Sequence, residues 1–144
     1  MTLKMDAVAL QGFLVQEFPQ VAADFVIESV TPDALRVRLV VDQRPLRPGG
    51  TVSGPSMFAL ADVAIYLTIL SRIGAQALTV TTNCSIDFMR KPAAGVDLLA
   101  EARLLKLGRV LAVGDVLIHS VGVMAPVARA SLTYSIPPVP AAAR

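Results

Sequence analysis

Ser53-Gly-Pro-Ser-Met-Phe-Ala-Leu-Ala-Asp62-Val-Ala-Ile-Tyr-Leu-Thr-Ile-Leu-Ser-Arg-Ile73-Gly74 is the stretch on which the fold turns. Ser53 suits an N-cap, Pro55 a first helical turn and Gly74 a C-terminal stop. Between them Met57, Leu60, Ala61, Ala64, Leu67, Thr68 and Leu70 recur at helical spacing, and most of the intervening residues are apolar as well. A helix that is apolar on nearly every side has to be buried, so the rest of the chain must surround it.

The flanking segments supply the means. Val8, Leu10, Phe13, Leu14 and Phe18 space a first helix from Asp6 to Phe18, capped by Asp6 and closed by Pro19. Phe25–Val30 and Leu35–Val41 read as strands around the turn Thr31-Pro-Asp-Ala. In the second, Arg36 and Arg38 alternate with apolar neighbours, which gives one buried and one wet face. Residues 42–50 hold two prolines, two arginines and two glycines and read as a loop. After the long helix, Gln76–Phe88, Val96–Lys106, Val110–Ser120 and Val127–Ile136 read as strands joined by short turns, and residues 137–144 as a tail. The expected architecture is α+β. An antiparallel sheet of five to six strands wraps one long helix, with an N-terminal helix in residues 1–19, all in one domain over residues 1–144. The uncovered sheet face and edges imply a second subunit, as a homodimer or homotetramer.

Composition narrows the chemistry. The 144 residues are 54% hydrophobic and only 17% charged, which fits surface reserved for self-association. A single Cys (Cys84) and a single His (His119) cannot build a Cys/His zinc site or a disulfide framework, and nothing points to a metal or cofactor. His119 lies in an apolar stretch and reads as a packed strand residue. With a net charge of +2 and no Trp, the chain offers no base-stacking platform, so nucleic acid is not expected as a partner. No uninterrupted apolar run reaches the ~18 residues of a membrane span, since Asp62 breaks the one from Met57 to Leu70. Met1–Asp6 lacks the features of a secretory leader, and a cytoplasmic location is the expectation.

Asp62 is the anomaly. A carboxylate in the most apolar helix must reach a pocket, an interface or a donor. It could instead lie on a solvated stripe whose edge Arg72 marks, or act as a structural acceptor; perturbed, buried charges favour a functional site. The glycine turn leading into the helix, Gly49-Gly-Thr-Val-Ser-Gly-Pro, aims backbone N–H groups outward with the positive helix end behind them. Such a corner can stabilise an oxyanion, with Gly54 as donor because Pro55 has no N–H. Cys84 reads as a buried apolar residue.

The stretch Gly50-Thr-Val-Ser-Gly-Pro-Ser-Met-Phe-Ala-Leu-Ala-Asp-Val-Ala resembles the motif region of hotdog-fold acyl-CoA thioesterases of the phenylacetate-pathway (PaaI-like) type. In that family a His-Gly-Gly segment opens the central helix and an Asp follows nine residues after the His. Here Ser53 stands for the His, Gly54 for the first Gly, Pro55 for the second, and Asp62 falls at the family's carboxylate. The resemblance runs on through Asn83-Cys-Ser-Ile-Asp-Phe-Met-Arg-Lys-Pro and Leu105-Lys-Leu-Gly-Arg-Val-Leu-Ala, covering roughly residues 20 to 136. It implies a hotdog fold and hydrolysis of acyl-CoA, with Asp62 as general base or nucleophile and the Gly54 N–H as oxyanion donor. Ser53 caps the helix and could bond substrate or water, and Thr81 aligns with a hydroxyl residue that places the attacking water. An Asn of the family falls at Arg47. Arg90, Lys91, Lys106 and Arg109 would lie at the pocket mouth, suited to the phosphates of coenzyme A. The Ser53-Gly-Pro departure keeps a second expectation open, a catalytically silent hotdog dimer that binds an acyl thioester or fatty ligand.

Overall fold

The computed structural model describes residues 2–42 and 51–138. Asp6 caps α1 (Ala7–Glu17) by accepting the Ala9 N–H at 2.9 Å, and the helix buries Leu10, Phe13 and Leu14. Strands β1 (Phe25–Val30) and β2 (Leu35–Leu39) follow, then α2 (Gly54–Ile73), and then β3 (Val80–Phe88), β4 (Leu98–Leu107), β5 (Leu111–Ser120) and β6 (Ala128–Ser135). The six strands form one antiparallel sheet in the order β1-β2-β4-β5-β6-β3. This is the sheet-around-helix arrangement of a hotdog fold, as expected from the sequence.

Sequence and structure agree on the long helix. Ser53 is extended, with φ −74° and ψ 157°, and its Oγ accepts the Ser56 N–H at 3.3 Å. At the other end Gly74, at φ 92°, returns its N–H to the Leu70 carbonyl at 2.8 Å. Leu60, Ile65, Leu67, Ile69 and Leu70 are fully buried against Leu35, Val37, Leu98, Ile118 and Leu132 of the sheet. Each such side chain contributes roughly 1.5–3 kcal/mol of transfer free energy. Two hydroxyls inside this apolar helix are satisfied by its own backbone: Thr68 Oγ1 donates to the Ala64 carbonyl at 2.6 Å, and Ser71 Oγ to that of Thr68 at 2.5 Å. By length and composition alone α2 could cross a membrane, but 67% of its apolar 18-residue window is buried inside the fold.

Three expectations are corrected. The strand expected from Gln76 begins at Val80, because Ala77–Leu78 form a turn closed by the Thr79 N–H on the Gln76 carbonyl at 3.0 Å. Strand β2 stops at Leu39, where the Val41 N–H turns to the Asp97 carboxylate at 2.9 Å. Arg72 does not mark a solvated stripe. It is 7% exposed, and its guanidinium donates to the Thr31 and Pro32 carbonyls of the β1–β2 turn. The open face of α2 lies instead in its first half, at Pro55, Phe58 and Ala59, with Asp62 and Val63 half-buried below them.

Helix and sheet approach closely at Gly114 of β5. A Cβ there would lie 2.5 Å from Ile65 Cδ1 and 2.8 Å from the Arg103 carbonyl oxygen, so the backbone would have to move. Gly114→Ala is therefore expected to destabilise the protein by about 1–3 kcal/mol. Denaturant unfolding checks this, and an unchanged midpoint would mean that the sheet can yield at this point.

Candidate functional site

The first half of α2 runs along β3, the edge strand of the sheet. Gly54 faces Phe88, whose ring would meet an added Cβ at 3.4 Å, and two turns later Asp62 faces Thr81. Asp62 Oδ1 accepts two short bonds, from Thr81 Oγ1 at 2.6 Å and from the Tyr134 phenol at 2.6 Å. The same phenol lies 2.8 Å from the Asp62 main-chain oxygen. Among the described residues Oδ2 has no hydrogen-bond partner. Asp62 is thus neither a solvated charge nor a fully occupied structural acceptor.

The carboxylate lies in the wall of an open chamber of about 490 Å³ lined mainly by apolar and aromatic side chains, among them Leu14, Phe18, Tyr66, Ala77 and Val80. Tyr66 packs edge-on against Phe18, with ring centroids 5.8 Å apart, and donates its hydroxyl to the Ala77 carbonyl at 3.1 Å. Burial, assisted by the Glu17 charge, pushes the Tyr66 phenol up to about 12. The Tyr134 phenol is raised further, first by burial and then by the Asp62 charge, so it remains a proton donor. Sequence reasoning missed Tyr134. An inward-facing Tyr in an apolar strand, needing a partner for its hydroxyl, was the signal available.

Gly54 belongs to a different pocket. It shares an opening of about 390 Å³ with Phe88, Arg90 and Lys91. As the first residue of α2 it has no acceptor within the helix for its N–H, and the positive end of the helix dipole lies behind it. Ser53 spends its hydroxyl on the cap, donating to Ser56 Oγ at 3.0 Å. The four expected cations divide. Arg90 and Lys91 stand by Gly54, whereas Arg109 lines a groove with Arg72 and Ile73 at the far end of α2, and Lys106 stands on the same β4–β5 hairpin. Within one chain they do not form a single mouth, because the hairpin carrying two of them reaches the C-terminal end of a 20-residue helix. Arg47 lies outside the described residues. Cys84 is half-buried rather than buried, and His119 is half-buried on β5. The described residues contain no cluster of His, Cys, Asp and Glu that could hold a metal.

One long buried helix wrapped by an antiparallel sheet defines the hotdog class of fold. Residues 49–127 match the family model of the thioesterase superfamily, and the chain belongs to that family. The crystal structure of a thioesterase candidate from Silicibacter sp. TM1040 is similar, with 57% identity, 96% of each chain covered and a TM-score of 0.90. The phenylacetic acid degradation protein PaaI of Thermus thermophilus, a solved mutant, is 27% identical over 83% of this chain and 99% of its own, with a TM-score of 0.70. An esterase candidate of Deinococcus radiodurans is 37% identical over 86 residues, which is 60% of this chain. That match spans 56% of the relative, little more than half its length. Membership and these likenesses support thioester hydrolysis as the general chemistry.

Burial first, and then the charge of Asp62, raises the Cys84 thiol above its ordinary value. Asp62→Asn removes the second cause, so the thiolate absorbance of Cys84 is expected to appear at lower pH in that variant than in the wild type. Coincident titrations would mean that the carboxylate does not act on this thiol.

Proposed function

We propose that the protein hydrolyses acyl-CoA thioesters to free acid and coenzyme A. The observation that carries this reading is the Asp62 carboxylate, with one oxygen bound by two hydroxyls and the other without a hydrogen-bond partner among the described residues, beside an apolar chamber. An acyl group fits the chamber's chemistry, and an unpartnered carboxylate oxygen can take a proton from water. In this reaction water adds to the thioester carbon as its proton passes to Asp62. The carbonyl oxygen gains the charge and is stabilised by the Gly54 N–H and the helix dipole, and collapse expels the thiolate. Direct attack by Asp62 would expel the coenzyme A thiolate and give an acyl-aspartyl anhydride, which water then opens to the free acid and the Asp62 carboxylate.

Both groups cannot serve one carbonyl from within a single chain. Eight residues of helix separate Gly54 from Asp62, an axial distance of about 12 Å, whereas base and oxyanion donor must each stand about 3 Å from the reacting group. The proposed site therefore joins Gly54, Arg90 and Lys91 of one copy to Asp62 and Thr81 of another, in a two-fold dimer. The open face of α2 at Phe58 and Ala59 and the exposed Val80 and Phe88 of the β3 edge are the surfaces suited to that contact. Arg90 and Lys91 would then hold coenzyme A phosphates, and Lys106 and Arg109 need the second copy, or a doubled dimer, to join them.

Free-thiol release from a panel of acyl-CoAs tests the activity. Asp62→Asn should keep its fold and lose roughly a hundredfold or more of turnover. No thiol release from any acyl-CoA, alongside retained acyl-thioester binding, would instead support the silent ligand-binding dimer.

The shared site has its own test. Gly54→Pro removes the N–H while suiting the first helical position, since Ser53 already has the extended backbone that precedes a proline. Mixed with Asp62→Asn chains, each inactive alone, it should restore about a quarter of wild-type activity, because half of the dimers then hold one intact site. No recovery after subunit exchange would rule out a site shared in this way.

For the phosphates, removing the charge of Arg90 or Lys91 should raise KM for acyl-CoA with kcat little changed, and should have no effect on a thioester lacking the nucleotide.

A further inference from the structure

The two hydroxyls meet on Asp62 because of a feature of the sheet. Tyr134 of β6 is directly paired with Thr81 of β3, so their side chains leave the inner face at the same level. Below them the pairing slips. Asn83 opposes Thr133, and Thr82 is the extra residue of a bulge. Counting inward positions up from Ile86 and Cys84 by alternation would put Thr82 inside and Thr81 outside. The bulge reverses this and turns the Thr81 hydroxyl to the helix, while Thr82 is exposed.

Tyr134 is 2% exposed and meets Asp62 twice, on the carboxylate and on the main-chain oxygen. A rigid phenol that spans both ends of one residue fixes the torsion between them. With Thr81 it occupies Oδ1 only.

We propose that Tyr134 is a positioning residue for the hydrolysis, holding the Asp62 side chain in the rotamer that presents Oδ2 to the bound thioester. The assignment rests on Asp62 being the reactive group. Tyr134 touches no reacting atom itself and acts by fixing where the carboxylate stands. Small displacements of an aligned group lower rates by up to about a hundredfold, which sets the scale of the expected effect.

The test uses Tyr134→Phe, Asp62→Asn and the double variant in the full chain, with circular dichroism to verify folding. Tyr134→Phe is expected to lower kcat on an acyl-CoA by about ten- to a hundredfold while KM stays within about twofold. In the Asp62→Asn background the same change should remove nothing further, because there is no reactive carboxylate left to position. An equal fractional loss in both backgrounds, or a loss matched by the amount of unfolded protein, would make Tyr134 a structural residue and overturn the proposal. Full turnover by Tyr134→Phe beside an inactive Asp62→Asn would overturn the role of Tyr134 alone. Full turnover by Asp62→Asn would overturn the reading of Asp62, and that of Tyr134 with it.

Discussion

The burial of α2 is the constraint on which the other features depend. A helix with fully buried Leu60, Ile65, Leu67, Ile69 and Leu70 leaves no room for unpaired polar groups, and each one present is accounted for by a specific device. Thr68 and Ser71 turn back onto the helix's own carbonyls, and Arg72 reaches the carbonyls of the β1–β2 turn. Asp62 is met by side chains from outside the helix, the hydroxyls of Thr81 on β3 and Tyr134 on β6. Those strands lie together at one margin of the sheet, so the carboxylate stands where the wrapping ends and only part of it is covered.

Much of this was legible in the sequence, for identifiable reasons. Caps and breakers act locally, so Asp6, Ser53 and Gly74 gave helix ends that match the structure within a residue. Asp62 stood out because a charge contradicts an apolar periodicity. What could not be read depends on partners distant in the chain. The bulge at Thr82 exists only as a relation between β3 and β6, and without it alternation turns Thr81 the wrong way. Tyr134 looks like an ordinary strand residue until that pairing is known. The resemblance places the four cations together at the pocket mouth, but which end of α2 a hairpin reaches is a property of the topology. Residues 76–79 have strand-like composition, and a turn wins there because the chain must reverse after Gly74.

The two chemical elements on α2 are tuned separately. The dipole acts within about the first turn, which is where Gly54 lies, and it fades before the third turn, where Asp62 lies. The carboxylate's surroundings are set by Tyr134, Thr81 and the apolar walls. A change at the helix cap can therefore alter the proposed oxyanion corner without altering the carboxylate, and a change in β6 can do the reverse. One helix carries both, yet neither compromises the other.

The aromatic lining of the chamber has an optical consequence. The chain has no tryptophan and two tyrosines, Tyr66 and Tyr134, and both stand in the wall beside Asp62. Their rings lie 6.1 Å apart, close enough to sense each other's surroundings. The protein's entire tyrosine emission thus arises within a few ångströms of the carboxylate, and whatever enters that space alters the only intrinsic fluorophores of this kind that the molecule has. The fold carries its own label at the proposed acyl site.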